Sequence, residues 1–218
     1  MLNWIVIILA ALLLPALLYG EKREKPGIIV PFKTVLSALF IVAVWIQPHE
    51  AVPRYFTFLM PGLVFCLLGD VFLALPRERM FLLGLISFLL GHVFYVFAFF
   101  SAGSIAYLSW TGILIILVAG CSVFFWLKPH LGSMKIPVLL YVIVISIMVC
   151  GAVAVFKNPG LAMQGRLAVL IGAAFFYISD IFVARDRFLK KGFVNRLFGL
   201  PLYYFGQFLL AFSAGLLK

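Results

Sequence analysis

The sequence predicts an all-α membrane protein, a bundle of eight transmembrane helices. Three observations carry that expectation. The chain has 218 residues, of which 66% are hydrophobic and only 11% charged, with a mean hydropathy of +1.22. A soluble domain of this size has too much surface to carry such a composition. Apolar runs of about 20 residues, the length that crosses a ~30 Å hydrocarbon core as a helix, recur eight times. These runs are apolar on every side, whereas a membrane β-barrel alternates apolar and polar residues in segments of about ten.

The runs cover about 2–19, 31–46, 55–75, 81–100, 107–127, 134–156, 167–184 and 197–217. The short connections leave no room for a soluble domain, so residues 1–218 are expected to form a single integral membrane domain. The first run has no basic leader, and no small-x-small cleavage site precedes Glu21-Lys22-Arg23-Glu24-Lys25. It reads as a retained helix. The second opens near Pro31 and Lys33-Thr34. The third has Pro61 near its start and Gly69-Asp70-Val71-Phe72-Leu73-Ala74 near its end. The fourth carries Gly91-His92 and Tyr95. The sixth has Pro137 near its start. The seventh carries Tyr177 and then Ser179-Asp180-Ile181-Phe182-Val183-Ala184. The eighth carries Tyr203, Tyr204 and Gly206-Gln207. Cys66, Cys121 and Cys150 fall within runs, at no metal-binding spacing, and read as small packing residues.

The net charge of +10 is distributed in a way that points to membrane topology rather than to nucleic acid. The first, third, fifth and seventh connections hold thirteen of the seventeen basic residues, including Lys22, Lys33, Arg77, Lys128, Arg185 and Arg196. Basic loops stay cytoplasmic, so the odd connections are expected inside and both termini on the other side. Membrane lipids are the expected partners of these charges, with no obligate protein partner evident.

An ionisable side chain in a membrane helix costs about 2.5–3.5 kcal/mol on insertion scales and is rarely idle. Asp70 and Asp180 are two of them, 110 residues apart in nearly the same local sequence. The matching frames suggest two parallel four-helix halves with one site between them. With a rise of ~1.5 Å per residue, both acids fall roughly 6–8 Å below the basic boundary, and His92 and Gln207 lie deeper. Tyr177, Tyr95 and Tyr204 stand one turn from Asp180, His92 and Gln207, a spacing that shares a helix face. Tyr203, near the boundary, reads as an interfacial aromatic. His49 and His130 lie in loops on opposite sides, so only His92 is available to a buried site. No His-x-x-His, Cys-x-x-Cys, Gly-x-Ser-x-Gly or Gly-rich phosphate loop is present. No metal and no cofactor are expected.

Four segments together carry a family resemblance: LGDVFLAL, GLISFLLGHVFYVFAF, YISDIFVARDRF and YYFGQFLLAFS. In this order they resemble the YhhN-like lysoplasmalogenase family, with the best matches over 61–95 and 175–213. The resemblance implies an eight-helix membrane enzyme. It would hydrolyse the vinyl-ether bond of lysoplasmalogens, releasing a fatty aldehyde and glycerophospho-ethanolamine or -choline. Asp70, His92, Tyr95, Ser179, Asp180, Tyr204 and Gln207 fall on the family's motif positions. The family also tends to open its second helix with Lys-Pro, which here matches either Lys25-Pro26 or the start at Lys33-Thr34.

The chemistry asks for what two carboxyl groups supply. Protonating the β-carbon of a vinyl ether gives an oxocarbenium ion, which water attacks, much as in glycoside hydrolysis. Two carboxyls close together in a poor dielectric cannot both ionise easily, so Asp70 and Asp180 are expected as acid and carboxylate; the sequence does not assign the order, though Asp180, beside Tyr177, is favoured for activating water. His92 and Gln207 are expected to orient water or the glycerol hydroxyl, or else to bond each other and lock two helices. The tail is expected along Gly84, Phe88, Gly91 and Phe94, and the phosphate at Lys33 and Arg185. Paired intramembrane acids in a repeat also fit a proton-coupled transporter of small molecules or lipids, and a carrier of that kind is the alternative reading.

Overall fold

A computed structural model describes residues 1–48 and 50–218 and, at Glu78, the backbone alone; His49 lies outside the described residues. Lipid offers no partner for backbone N–H and C=O groups, so an apolar segment satisfies them internally by coiling. Among the described residues eight α-helices do so: α1 (Leu2–Lys22), α2 (Pro26–Trp45), α3 (Pro53–Ala74), α4 (Glu78–Ala102), α5 (Trp110–Leu127), α6 (Lys135–Phe156), α7 (Met163–Ala184) and α8 (Phe193–Leu216). All eight are long and apolar enough to span a membrane.

The observed helices differ from the apolar runs in two informative ways. α2 begins at Pro26 rather than near Pro31, with Lys25 as its N-cap. Proline suits the first helical turn, which has no use for its missing N–H, so Lys25-Pro26 is the opening and Lys33 lies two turns inside. Pro31, like Pro15, Pro61 and Pro201, sits within an unbroken helix. Residue 107 closes a separate 3-10 turn, Ile105–Tyr107, and α5 starts only at Trp110, where the Gly112 amide donates to the Ser109 hydroxyl at 3.3 Å. Elsewhere the helices run on into charged flanks, because long basic side chains extend to water while their backbone stays helical. α7 continues past Ala184 into one π turn, Arg185–Leu189.

Two helix pairs form the tightest seams, α3 with α4 and α7 with α8. Each is made possible by a pair of glycines. A Cβ on Gly62 would stand 3.2 Å from the Gly91 carbonyl oxygen and one on Gly91 would stand 3.1 Å from that of Gly62. In the second seam the corresponding distances between Gly172 and Gly206 are 3.0 and 2.9 Å. Small residues let membrane helices approach closely, since packing rather than hydrophobicity holds them together in lipid. α4 packs across onto α6, and α2 onto α8. α5 leans mainly on α6 and turns Trp110, Ile115 and Phe125 outward.

The basic connections come together at one end of the bundle. Lys191 meets Glu24 at 3.6 Å, Arg196 meets Glu21 at 3.0 Å, and Phe81 packs edge-on against Phe188. At the other end the Ala162 amide donates to the carbonyl of Lys218, and Gln47 donates to Asn3.

Candidate active site

A cavity of about 600 Å³ opens at the basic end and runs into the bundle. Its walls come from all eight helices and from the π turn after α7. Charged side chains line the mouth, Glu21, Lys33 and Arg196 among them. Phe81, Leu85 and Phe88 of α4, Leu127 of α5 and Val138 and Ile145 of α6 line an apolar arm. Both intramembrane aspartates line this cavity.

The two are held differently. Asp70 is 2% exposed, and its Oδ2 accepts two hydroxyl hydrogens, from Ser37 on α2 at 2.5 Å and from Tyr203 on α8 at 2.6 Å. Lys33, one turn before Ser37, adds a positive charge that acts on this carboxyl. The oxygen is therefore saturated with donors, a setting for an ionised carboxylate.

Asp180 has one hydroxyl donor, Tyr141 on α6, at 2.7 Å. Its second neighbour is His92 on α4, whose Nε2 stands 3.6 Å from the same Oδ2. The ring's other nitrogen, Nδ1, lies 2.7 Å from the carbonyl oxygen of Phe88. A carbonyl can only accept, so Nδ1 must carry a hydrogen. A neutral ring then has a bare Nε2, and two acceptors face each other unless a proton lies on one of them. Asp180 thus has one donor and one facing ring nitrogen, where Asp70 has two donors on the same oxygen.

The buried polar groups behind the cavity form a separate layer. Tyr95 donates to the carbonyl oxygen of Gln207 at 2.6 Å, joining α4 to α8, and the Cys66 thiol lies 3.7 Å from the same tyrosine oxygen. His92, Tyr95 and Gln207 are fully buried. Among the described residues no three His, Cys, Asp or Glu side chains converge as metal ligands would.

The profile of the YhhN family matches residues 28–214. The chain belongs to the YhhN family. Among curated relatives, the lysoplasmalogenase TMEM86A of Bos taurus is 33% identical over 168 residues, 76% of this chain and 67% of that protein. A lysoplasmalogenase of Mycobacterium tuberculosis is 28% identical over 198 residues, 86% of this chain and 67% of its own length. The membrane protein YhhN of Escherichia coli O157:H7 is 25% identical over 185 residues, 84% and 85% of the two chains. No solved structure matches. With eight spans, this YhhN-family chain is a multi-pass integral membrane protein.

Within this YhhN-family fold, most of the residues singled out in the sequence gather at or just behind the cavity. Lys33, Asp70, Tyr177, Ser179 and Asp180 line it. His92 touches Asp180 from behind, while Tyr204 is buried against Tyr203 and Tyr95 pairs with Gln207. Gln207 therefore bonds Tyr95, not His92, in the link between α4 and α8. Tyr177 lines the wall, yet its hydroxyl lies by Gly120 in the seam of α5 with α6. Ser179 donates to the Phe176 carbonyl at 2.7 Å.

Three expectations are corrected. Arg185 is not part of the wall; it donates to Asn195 at 2.6 Å, because the π turn carries it toward the start of α8. Gly84 and Gly91 do not form a tail surface, since they are consumed in the α3–α4 seam. Of that expected tail face only Phe88 lines the cavity, and Phe94 stacks on Phe65 instead. Tyr203 is no interfacial anchor but a hydrogen-bond donor to Asp70. Ser37 and Tyr141 escaped the sequence reading altogether. A hydroxyl within an apolar run was their only signal, and the helix packing that aims them is not written in local spacing.

Proposed function

We propose that this chain hydrolyses the vinyl-ether bond of lysoplasmalogens, as the names of its relatives in Bos taurus and Mycobacterium tuberculosis describe for those proteins. The observation that carries this reading is the unequal pair on one cavity of about 600 Å³, a donor-saturated Asp70 and an Asp180 with one hydroxyl donor and the Nε2 of His92 3.6 Å away. Drug- and lipid-sized ligands occupy cavities of this order.

In this proposal Asp180 is the proton donor. It protonates the alkene β-carbon, leaving an oxocarbenium ion at the carbon bonded to oxygen. Asp70, ionised, stabilises that cation and takes a proton from the attacking water. The hemiacetal then collapses. Its carbon–oxygen bond to glycerol breaks as Asp70 passes the water proton to the glycerol oxygen and Asp180 takes the proton of the hemiacetal hydroxyl, so the aldehyde departs and both carboxyls return to their starting states. One water is consumed, and the products are the aldehyde and the glycerophospho-alcohol. This order reverses the lean of the local sequence, in which Tyr177 beside Asp180 suggested water activation. Tyr141, not Tyr177, serves Asp180, and its hydroxyl holds the carboxyl in place.

The two halves of the site support a further part of the proposal, that helices 1–4 and 5–8 are parallel repeats meeting at the cavity. Asp70 takes partners from α2 and α8, and Asp180 takes them from α6 and α4. Shifting each helix number by four converts the first set into the second. The odd connections are proposed to face the cytoplasm, so that the lipid enters from the inner leaflet.

The rival carrier would use discontinuous helices at mid-depth, whereas α3 and α8 run unbroken through Pro61 and Pro201. The deciding experiment incubates the purified protein with 1-alkenyl-lysophosphatidylethanolamine and follows aldehyde by mass spectrometry. Asp70→Asn and Asp180→Asn are each expected to lower turnover by about 10²–10⁴-fold with the thermal transition retained. Near-normal aldehyde release from both variants would rule out the mechanism.

A further inference from the structure

The charges at the mouth are nearly all spoken for. Lys33 Nζ lies 3.7 Å from Glu21, Arg196 lies 3.0 Å from Glu21 and 3.4 Å from Asp186, and Lys191 lies 3.6 Å from Glu24. Arg187 lines the same cavity and, among the described residues, has no carboxylate partner. Its guanidinium instead stands 4.4 Å over the ring of Phe81. A cation–π contact uses the charge of an arginine and none of its five N–H donors.

The turn that carries this cation is fixed by its neighbours. Arg187 occupies the middle of the π turn Arg185–Leu189, and such turns recur at functional sites. On one side Asp186 accepts from the Gly192 amide at 2.8 Å and from Asn195 at 3.0 Å. On the other, Phe188 packs edge-on against Phe81 with ring centroids 5.8 Å apart. Seven residues separate Asp180 from Arg187, roughly 10 Å of helical rise. A glycerol backbone and an arginine side chain can bridge that interval together. A lipid whose reacting ether oxygen lies at Asp180 thus has its phosphate near Arg187 and its chain in the apolar arm formed by Phe81, Leu85, Phe88 and Leu127.

We infer that Arg187, rather than Arg185 or the paired Lys33, is the phosphate-recognising residue for a single-chain glycerophospholipid in this cavity. The inference rests on the lysolipid reading above, but it is tested by binding, without turnover. An arginine with free N–H donors takes a phosphate through two parallel charge-assisted hydrogen bonds. Lys33 and Arg196 would have to give up buried carboxylates to do the same.

The test compares two non-cleavable ligands in detergent, 1-O-alkyl-lysophosphatidylethanolamine and the 1-O-alkylglycerol that lacks the phosphate. The unaltered protein is expected to prefer the phospholipid by roughly ten- to hundredfold. Arg187→Gln should bring that preference close to one, Arg187→Lys should restore part of it, and Arg185→Gln should leave it intact. Retention of the preference in Arg187→Gln, or its equal loss in Arg185→Gln, would overturn the inference. So would displacement of the lysolipid by glycerol 3-phosphate or inorganic phosphate at equal concentrations, which would mark a free-anion site. A protein that binds in this Arg187-dependent way but releases no aldehyde from the vinyl ether would sink the hydrolase reading alone.

Discussion

Tyr203 on α8 places its hydroxyl 2.6 Å from Oδ2 of Asp70 on α3, across 133 residues of sequence. The bond matters because Asp70 is almost wholly buried and has few other sources of hydrogen bonds. With Ser37 it makes a cradle that faces the cavity, and no other pair of hydroxyls in the bundle serves a single carboxylate oxygen in this way among the described residues.

Replacing Tyr203 by Phe keeps the ring, which packs edge-on against Phe88 and Phe176, and deletes the donor. Stability is expected to fall by about 1–3 kcal/mol, the usual cost of leaving a buried acceptor short of a partner. Aldehyde release should fall as well, because Asp70 loses the group that orients it. Thermal unfolding in detergent together with the mass-spectrometric assay reads both, and a Phe variant unchanged in both would remove Tyr203 from the site.

His92 offers a sharper distinction. If its Nε2 shares the proton of Asp180, then His92→Gln should lower kcat by about tenfold or more while leaving KM nearly constant. The ring does not line the cavity, so substrate binding has no reason to change. A variant with normal kcat and only a lower melting temperature would assign His92 to packing against Phe176 and Tyr141.

The glycine seams yield a prediction about stability rather than chemistry. Gly206→Ala puts a methyl group 2.9 Å from the Gly172 carbonyl oxygen and 3.2 Å from the Phe176 amide nitrogen. Both are backbone atoms that cannot swing aside, so α7 and α8 must separate. The expected cost is about 1–3 kcal/mol, as for other overpacked interiors. Activity per folded molecule should be affected far less than by substitution of either aspartate. Unchanged thermal stability would show that the seam is looser than the structure describes.

Much of this was legible locally. Composition and run length suffice for eight spans, because crossing hydrocarbon demands apolar length and internal hydrogen bonds. The two aspartates stand out for the same reason, since lipid penalises them. Helix limits were less legible. Pro31 reads as an opening signal, yet in α2 it is simply carried, and the helix begins five residues earlier at Pro26. The glycines on α4 read as room for a lipid tail, although they serve the approach of α3.

The sequence by itself determined the membrane class, the number of spans and the two acids that make a site conceivable, since each follows from how single segments partition into lipid. Tertiary structure alone decided which hydroxyls reach each acid, that His92 stands behind Asp180, and that Arg187 faces the mouth while Arg185 turns away. Those outcomes depend on how helices rotate against one another and on one π turn. Such rotations are fixed by packing between residues far apart in sequence, which no local pattern encodes.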